Sequence, residues 1–338
     1  MPIAGMTNRR EFVRCCLTGL LASIPEAQAS AREPGATLSP AATEKSRVVI
    51  ATDPQLRGAR SSVDSAAVLR LLDRSMQLFF GTKNELDPWK RLVRPNEVVG
   101  IKVNCLAGKG LSTNTLLVDA VVERLRQAGT PPGNIVIWDR ANDDLESAGY
   151  KIASRSGQLR CIGNDVLGYE DDLSISGSVG SRLCRTITQL CDAVISLPVL
   201  KDHGIVGVTM ALKNFFGAIH NPNKYHLQTG DPYIADAYLL PPIRQKVRLT
   251  ICDATTACYE GGPSFLPQWT WPCNSLIVSR DPVALDYTGW RLIEKKRTEK
   301  GLPPLAAVGR EPRYIATAAD ARHRLGTNDP ACIELVEG

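Results

Sequence analysis

Val98-Val99-Gly100-Ile101-Lys102-Val103, then Thr115-Leu116-Leu117-Val118-Asp119-Ala120-Val121-Val122-Glu123-Arg124-Leu125-Arg126-Gln127, then Ile135-Val136-Ile137-Trp138 form the stretch that decides the fold. The outer runs are short and β-branched, whereas the middle one repeats apolar residues at Leu117, Val121 and Leu125, the spacing of one helix face. Ser112 or Asn114 can cap that helix, and Gly129 with Pro131-Pro132 stops it. A strand, an amphipathic helix and a second strand in succession make a βαβ unit with parallel strands.

The same alternation extends in both directions. Val48 to Ala51 reads as a strand and Val63 to Phe80 as a helix; Ala193 to Leu197, Val247 to Cys252 and Ser275 to Ser279 read as later strands. Asp281-Pro282 is an Asp N-cap followed by Pro at the first helical position, and a further helix is expected from about Pro312. The expected class is α/β: a mostly parallel sheet with helices on both faces, Rossmann-like and three-layered, in a single domain over residues 46–338. Two stretches break the rhythm, Gly149 to Arg182 and the Asn-, Pro-, Tyr- and Asp-rich run His220 to Lys246, which is expected to be a lid or a dimer contact.

At the start of the chain Arg9-Arg10 precede Glu11-Phe12-Val13-Arg14, a short apolar run from Cys15 to Ile24, and Ala27-Gln28-Ala29. That order reads as a twin-arginine signal over residues 1–29, a route that carries folded proteins across the membrane with the twin-arginine translocase as transient partner. Residues 30–45, rich in Ala, Ser, Pro and Thr, read as a disordered linker. The apolar run is about half of the ~20 residues needed to span a bilayer, so no stable anchor and a periplasmic or extracytoplasmic location are expected.

The 338 residues carry a net charge of +5, and loss of residues 1–29 lowers it to about +4, too even a balance to call for nucleic acid. Eight cysteines remain beyond the signal, from Cys105 to Cys332, with no C-x-x-C spacing, which argues against a ferredoxin-type cluster or a zinc ribbon. Mostly buried free thiols, with one or two bridges, are expected.

Ligands of parallel α/β sheets bind beyond the carboxyl ends of the strands. Polar residues follow almost every expected strand: Lys102 and Asn104, Asp139 and Arg140, Lys201, Asp202 and His203, Asp253, and Asp281. The densest stretch runs from Lys201 through Thr209 to Lys213, Asn214 and Gly217, and contains no nucleotide-binding fingerprint. His203, His220 and His226 fall close together in sequence and, with Asp253, could hold a divalent metal.

Lys102-Val103-Asn104, the run Pro198 to His203 continuing to Lys213-Asn214-Phe215-Phe216-Gly217, Ile251-Cys252-Asp253-Ala254, Gly261-Gly262-Pro263 and Ser279 to Asp286 together resemble the family called domain of unknown function 362. The resemblance covers about Val48 to Gly326 and implies an α/β domain, frequent twin-arginine export and, in some members, an added iron-sulfur module whose cysteine pattern is absent here. It marks Lys201, His203, Thr209, Lys213, Asn214, Asp253, Asp281 and Asp286 as motif positions and implies no reaction.

The favoured reading is an enzyme acting on a small anionic molecule. Lys201, His203 and Asp253 are its catalytic candidates, with His203 as general acid or base and Asp253 orienting it. Lys102, Asn104, Thr209, Lys213, Asn214 and Asp281 are the candidate substrate contacts. The alternatives are an exported metal-binding protein using His203, His220, His226 and Asp253, and an iron-sulfur electron carrier using some of the cysteines.

Overall fold

The computed structural model describes residues 45–57 and 62–338. The chain divides into Met1–Thr43 and Glu44–Gly338, and all described residues belong to the second unit. The expected signal at residues 1–29 and all of the expected linker except Lys45 lie outside the described residues.

Strand β1 (Ser46–Thr52) leads into helix α1 (Ser65–Phe80), which Asp64 caps by accepting from Ala67 N and which ends at Gly81 with φ 63°. β2 (Val99–Lys102), α2 (Thr115–Gln127) and β3 (Ile135–Asp139) are the βαβ unit read from the sequence, with Asn114 as the helix cap. There follow β4 (Arg160–Gly163), β5 (Ala193–Ser196), β6 (Val199–His203), β7 (Gly207–Thr209), β8 (Val247–Cys258), β9 (Ser275–Ser279), α3 (Pro282–Glu299) and β10 (Ile333–Glu337). The order across the sheet is β10-β1-β9-β8-β5-β2-β3-β4, with β6 and β7 continuing it beside the second half of β8. Of the strands in that order only β9 runs opposite to the rest.

Both faces are buried, as the continuous apolar character of the strands requires. Val49 and Ala51 of β1 and Ile135 and Ile137 of β3 pack with α1 and α2. Their alternate neighbours Val48, Ile50, Val136 and Trp138 pack on the other face with α3 and the short helices Tyr233–Tyr238 and Tyr314–Ala319. This is the period-two division of a strand between two cores. The fold is thus α/β, a mostly parallel mixed sheet with helices on both faces.

Several elements differ from the sequence reading. Gly149 to Arg182 contains the edge strand β4, too short and too mixed in composition to stand out, and a small hairpin of Ser174–Ser176 and Val179–Ser181. The segment after Leu197, to which the sequence reading assigned no element, is a hairpin, β6 and β7, followed by a 3₁₀ turn at Lys213–Ala218. In the His220 to Lys246 run, buried Ile234, Ala235, Ala237 and Tyr238 belong to the core, so this segment is part of the domain's body. All eight described cysteines are free, so the expected bridges are not formed among them. No described helix is long and apolar enough to cross a membrane.

Candidate functional site

β5 and β6 are one strand interrupted at Leu197-Pro198, and the interruption carries the chain past the carboxyl ends of β2 and β3. In the β6–β7 hairpin Lys201 pairs with Thr209, Asp202 with Val208 and His203 with Gly207. Strand alternation sends Lys201, His203 and Thr209 to one side, where they line a cleft of about 460 Å³, while Asp202 points to the other. The K-x-H-x-x-x-G-x-T spacing is therefore a hairpin with one functional face. Gly207, at φ +86°, makes the turn possible, and a Cβ there would lie 2.2 Å from Arg310 O.

Asp202 anchors the hairpin from behind. Its Oδ1 accepts from Gly262 N at 2.8 Å, and its Oδ2 pairs with Arg310 at 3.1 Å. Arg310 in turn pairs with Glu260, which also meets buried Arg297. Glu260 thus serves this network, while Pro263 of the Gly261-Gly262-Pro263 turn reaches the cleft wall.

The floor of the cleft is a chain of lysines linked by amides. Lys102 Nζ, 1% exposed, donates to Asp139 Oδ1 at 2.7 Å, to Val103 O at 2.6 Å and to Asn214 Oδ1 at 3.4 Å. Asn104 Nδ2 donates to the same Asn214 oxygen at 3.3 Å, and Asn104 Oδ1 accepts from Lys201 Nζ at 2.7 Å. Asn214 Nδ2 is itself held by Ser196 Oγ at 3.0 Å. Gly217 lies directly on this floor: a Cβ there would stand 3.0 Å from Lys102 Nζ and 3.1 Å from Asp139 Oδ1.

Lys213 is different. Its ammonium lies over the Phe216 ring, 5.2 Å from the centroid, with no salt-bridge or hydrogen-bond partner among the described residues. Asp286, buried in α3, holds the turn that presents it by accepting from Ala211 N at 2.7 Å and Leu212 N at 3.2 Å. Burial pulls the Lys213 ammonium down to about 7, helped by the charge of Lys201. Burial also pulls Lys201 down to about 8, against the pull of Asp139.

The two histidines on the cleft are stacked, with centroids 5.3 Å apart and planes 25° off parallel, and His226 sits edge-on to Phe216. His203 Nδ1 accepts from Ile205 N at 3.1 Å and Val206 N at 3.4 Å, so its proton is on Nε2. Burial, with Lys213, His226 and Lys201 adding repulsion, lowers its pKa to about 2 and keeps it neutral. The ring is thereby a hydrogen-bond donor to the cleft, which of the two expected roles, general acid or general base, leaves it suited to the first. His226 is the complement: its Nδ1 lies 3.2 Å from Asn223 O, an acceptor only, which leaves its Nε2 as a free lone pair. Burial and Lys213 lower its pKa too. Thr209, 3% exposed, has a buried hydroxyl with no partner among the described residues.

Other expected members are elsewhere. Asp253 is in the middle of β8, not after it, because that strand runs on to Cys258. Its carboxylate accepts from Asn114 N at 2.7 Å and from Thr255 N and Oγ1 at 2.9 and 2.7 Å, pinning the start of α2 to β8 rather than orienting His203. Asp281 follows the antiparallel β9, so it emerges at the opposite edge of the sheet from the cleft. There it caps α3 through Val283 N and Ala284 N and accepts from Ser46 Oγ and Thr327 N. His220 is exposed and edge-on to Tyr169, away from the cleft. The set His203, His220, His226 and Asp253 is therefore not assembled, and among the described residues no group of three or more His, Cys, Asp or Glu is placed to hold a metal ion. Asp139, noted only as a strand-end residue, proves to be the counter-ion of Lys102. Phe216, Asn223 and Asp144 line the cleft without a sequence signal that singled them out.

Fold and site together define an α/β protein with a lysine-rich cleft at the carboxyl ends of its parallel strands. The chain belongs to the family described as Domain of unknown function (DUF362), whose model matches residues 99–291. A thylakoid-associated protein of Synechocystis sp. is 25% identical over 283 residues, 81% of this chain and 79% of that protein. Among solved structures, the lactate racemase apoprotein from Thermoanaerobacterium thermosaccharolyticum aligns with a TM-score of 0.42 at 9% identity, over 73% of this chain and 57% of that one. A protein from Thermotoga maritima aligns with a TM-score of 0.43 at 12% identity, over 71% and 60%. The chain thus spans little more than half the length of either structure.

Proposed function

We propose that this protein is an enzyme acting on a small anionic molecule, a carboxylate or a phosphate, bound between Lys201 and Lys213. One observation carries the reading. Among the described residues two buried ammonium groups border the cleft without a salt-bridge partner, since Asp139 is taken by Lys102 and Asp144 by Arg140. Burying an uncompensated charge is costly, and a bound anion removes that cost. The His203 Nε2–H and the unpartnered Thr209 hydroxyl supply neutral donors beside the lysines, and the free Nε2 of His226 supplies a proton acceptor. Sulfate, phosphate and simple carboxylates, compared with chloride at matched ionic strength, should raise the melting temperature of the wild type and leave Lys213→Met unmoved. If none of these anions separates from chloride, the reading is wrong.

The same proposal places the protein outside the cytoplasm after twin-arginine export, on the strength of Arg9-Arg10 and the apolar run behind them. Replacing both arginines by lysine should retain the protein in the cytoplasmic fraction of its host. Unchanged fractionation would remove the export assignment.

A further inference from the structure

Within the cleft the two lysines without carboxylate partners are not equivalent. Lys201 Nζ is committed as a donor, to Asn104 Oδ1 at 2.7 Å and Leu111 O at 3.4 Å, which fixes it in place. Among the described residues Lys213 Nζ has no oxygen to donate to, and it rests on the face of Phe216, so nothing in its hydrogen bonding there opposes loss of its proton. A lysine in apolar surroundings beside a second cation is the arrangement that frees an amine lone pair near neutral pH. The wall around it is apolar and aromatic, with Phe216 and His226 at the side and Leu106 and Ile205 at the mouth, both more than half exposed at 56% and 53%.

We infer from this geometry that the anionic substrate is a 2-oxo acid, its carboxylate held by Lys201, and that Lys213 forms an imine with its carbonyl carbon. The inference rests on the anion-site reading above and names the substrate class of that site. In the step, the neutral amine of Lys213 adds to the carbonyl carbon and its proton moves to the oxygen, giving a carbinolamine. The C–O bond then breaks, the hydroxyl leaves with a second proton from the nitrogen as water, and a C=N bond takes its place. No oxidant or reductant is consumed. The Nε2–H of His203 can donate to the carbonyl oxygen, and the Nε2 lone pair of His226 can accept the proton that Lys213 loses first.

The test is reductive trapping. The folded protein is incubated with 2-oxobutyrate or phenylpyruvate, treated with borohydride and digested, and the peptides are mapped by mass spectrometry. The carbonyl-free partners 2-hydroxybutyrate and 3-phenyllactate serve as controls, and melting temperature is read in parallel. The expected result is one reduced adduct per chain on the peptide carrying Lys213, lost in the Lys213→Met and Lys213→Arg variants and in protein denatured beforehand. Because the map is made on the wild type, a variant that fails to fold does not decide the outcome. An adduct on Lys201, or only scattered labelling of surface lysines, overturns the assignment to Lys213. If oxo and hydroxy acids shift melting alike and no adduct is trapped, the imine is overturned while the anion site stands. If neither acid binds, and sulfate and phosphate are silent too, both fail together.

Discussion

The Lys213 ammonium lies 5.2 Å from the centroid of the Phe216 ring and meets no carboxylate among the described residues, which makes it a buried cation that the native structure tolerates rather than uses for stability. Replacing it with Met keeps the length and apolar contact and removes the charge. Unfolding free energy at pH 7 should therefore rise, by on the order of 1–4 kcal/mol, since each unit of depressed pKa is worth about 1.4 kcal/mol. Anion-induced stabilisation should vanish in the same variant. A Lys213→Met protein less stable than wild type in urea titrations would mean that the lysine is a structural element.

The pH dependence follows with a definite sign. Lys213 releases its proton at about 7 in the native protein against an ordinary value of 10.5, and Lys201 at about 8. Between those values and 10.5 the unfolded chain holds protons that the native protein has lost, so these two groups make ligand-free stability climb with pH across that window. Anion binding runs the other way, because it needs the ammonium forms. Sulfate, which does not itself titrate, should bind tightest below pH 7 and lose about tenfold in affinity per pH unit above it, more steeply past pH 8. His203, already neutral down to about 2, should add no inflection between pH 5 and 7. Calorimetric titration from pH 5.5 to 9 measures the profile, and a flat one would show that neither lysine contacts the anion.

Thr209 offers a test free of charge effects. Its buried hydroxyl has no partner among the described residues, so Thr209→Val, nearly the same in shape, should cost nothing in stability or add about 1 kcal/mol. The same change should weaken anion binding by about tenfold, the worth of one lost hydrogen bond to a charged group. Unaltered affinity would place the ligand away from the hairpin.

Lys102 and Asp139 should behave in the opposite way, as structure. Their contact at 2.7 Å is almost wholly buried, and Asp139 also accepts from Cys105 N at 2.7 Å and Arg140 N at 2.8 Å. Asp139→Asn leaves the Lys102 charge without its counter-ion and should cost about 3–5 kcal/mol. Adding Lys102→Met to Asp139→Asn should recover most of that loss, because the orphaned charge is then gone. Denaturant midpoints of the single and double variants report this, and strictly additive losses would show that the pair is not coupled.

Much of this protein was legible from its residues alone, for physical reasons. Strands buried on both faces must be apolar at every position, and a helix lying on one face must be apolar every three to four residues. Val98 to Trp138 therefore declared a βαβ unit, and Asn114 and Asp281 declared helix starts by their capping chemistry. The dense Lys201 to Gly217 run also points to a ligand site, because it follows a strand of a mostly parallel sheet, where ligands bind beyond the strand carboxyl ends. What the linear order could not carry is direction, continuity and hydrogen-bond partner. Asp281 reads as a cleft residue because it follows a strand, but β9 is antiparallel and delivers it to the far edge. Asp253 reads as a cleft residue on a strand that ends at Cys252, whereas β8 continues and the carboxylate is spent on Asn114 and Thr255. Which histidine donates and which accepts depends on two backbone N–H groups at one ring and one carbonyl at the other. Which lysine is free depends on Asn104 and Asp139 reaching Lys201 and Lys102, but not Lys213. Periodicity, propensity and caps are local properties that a sequence states directly, while proton positions and pairings are settled only where distant segments meet.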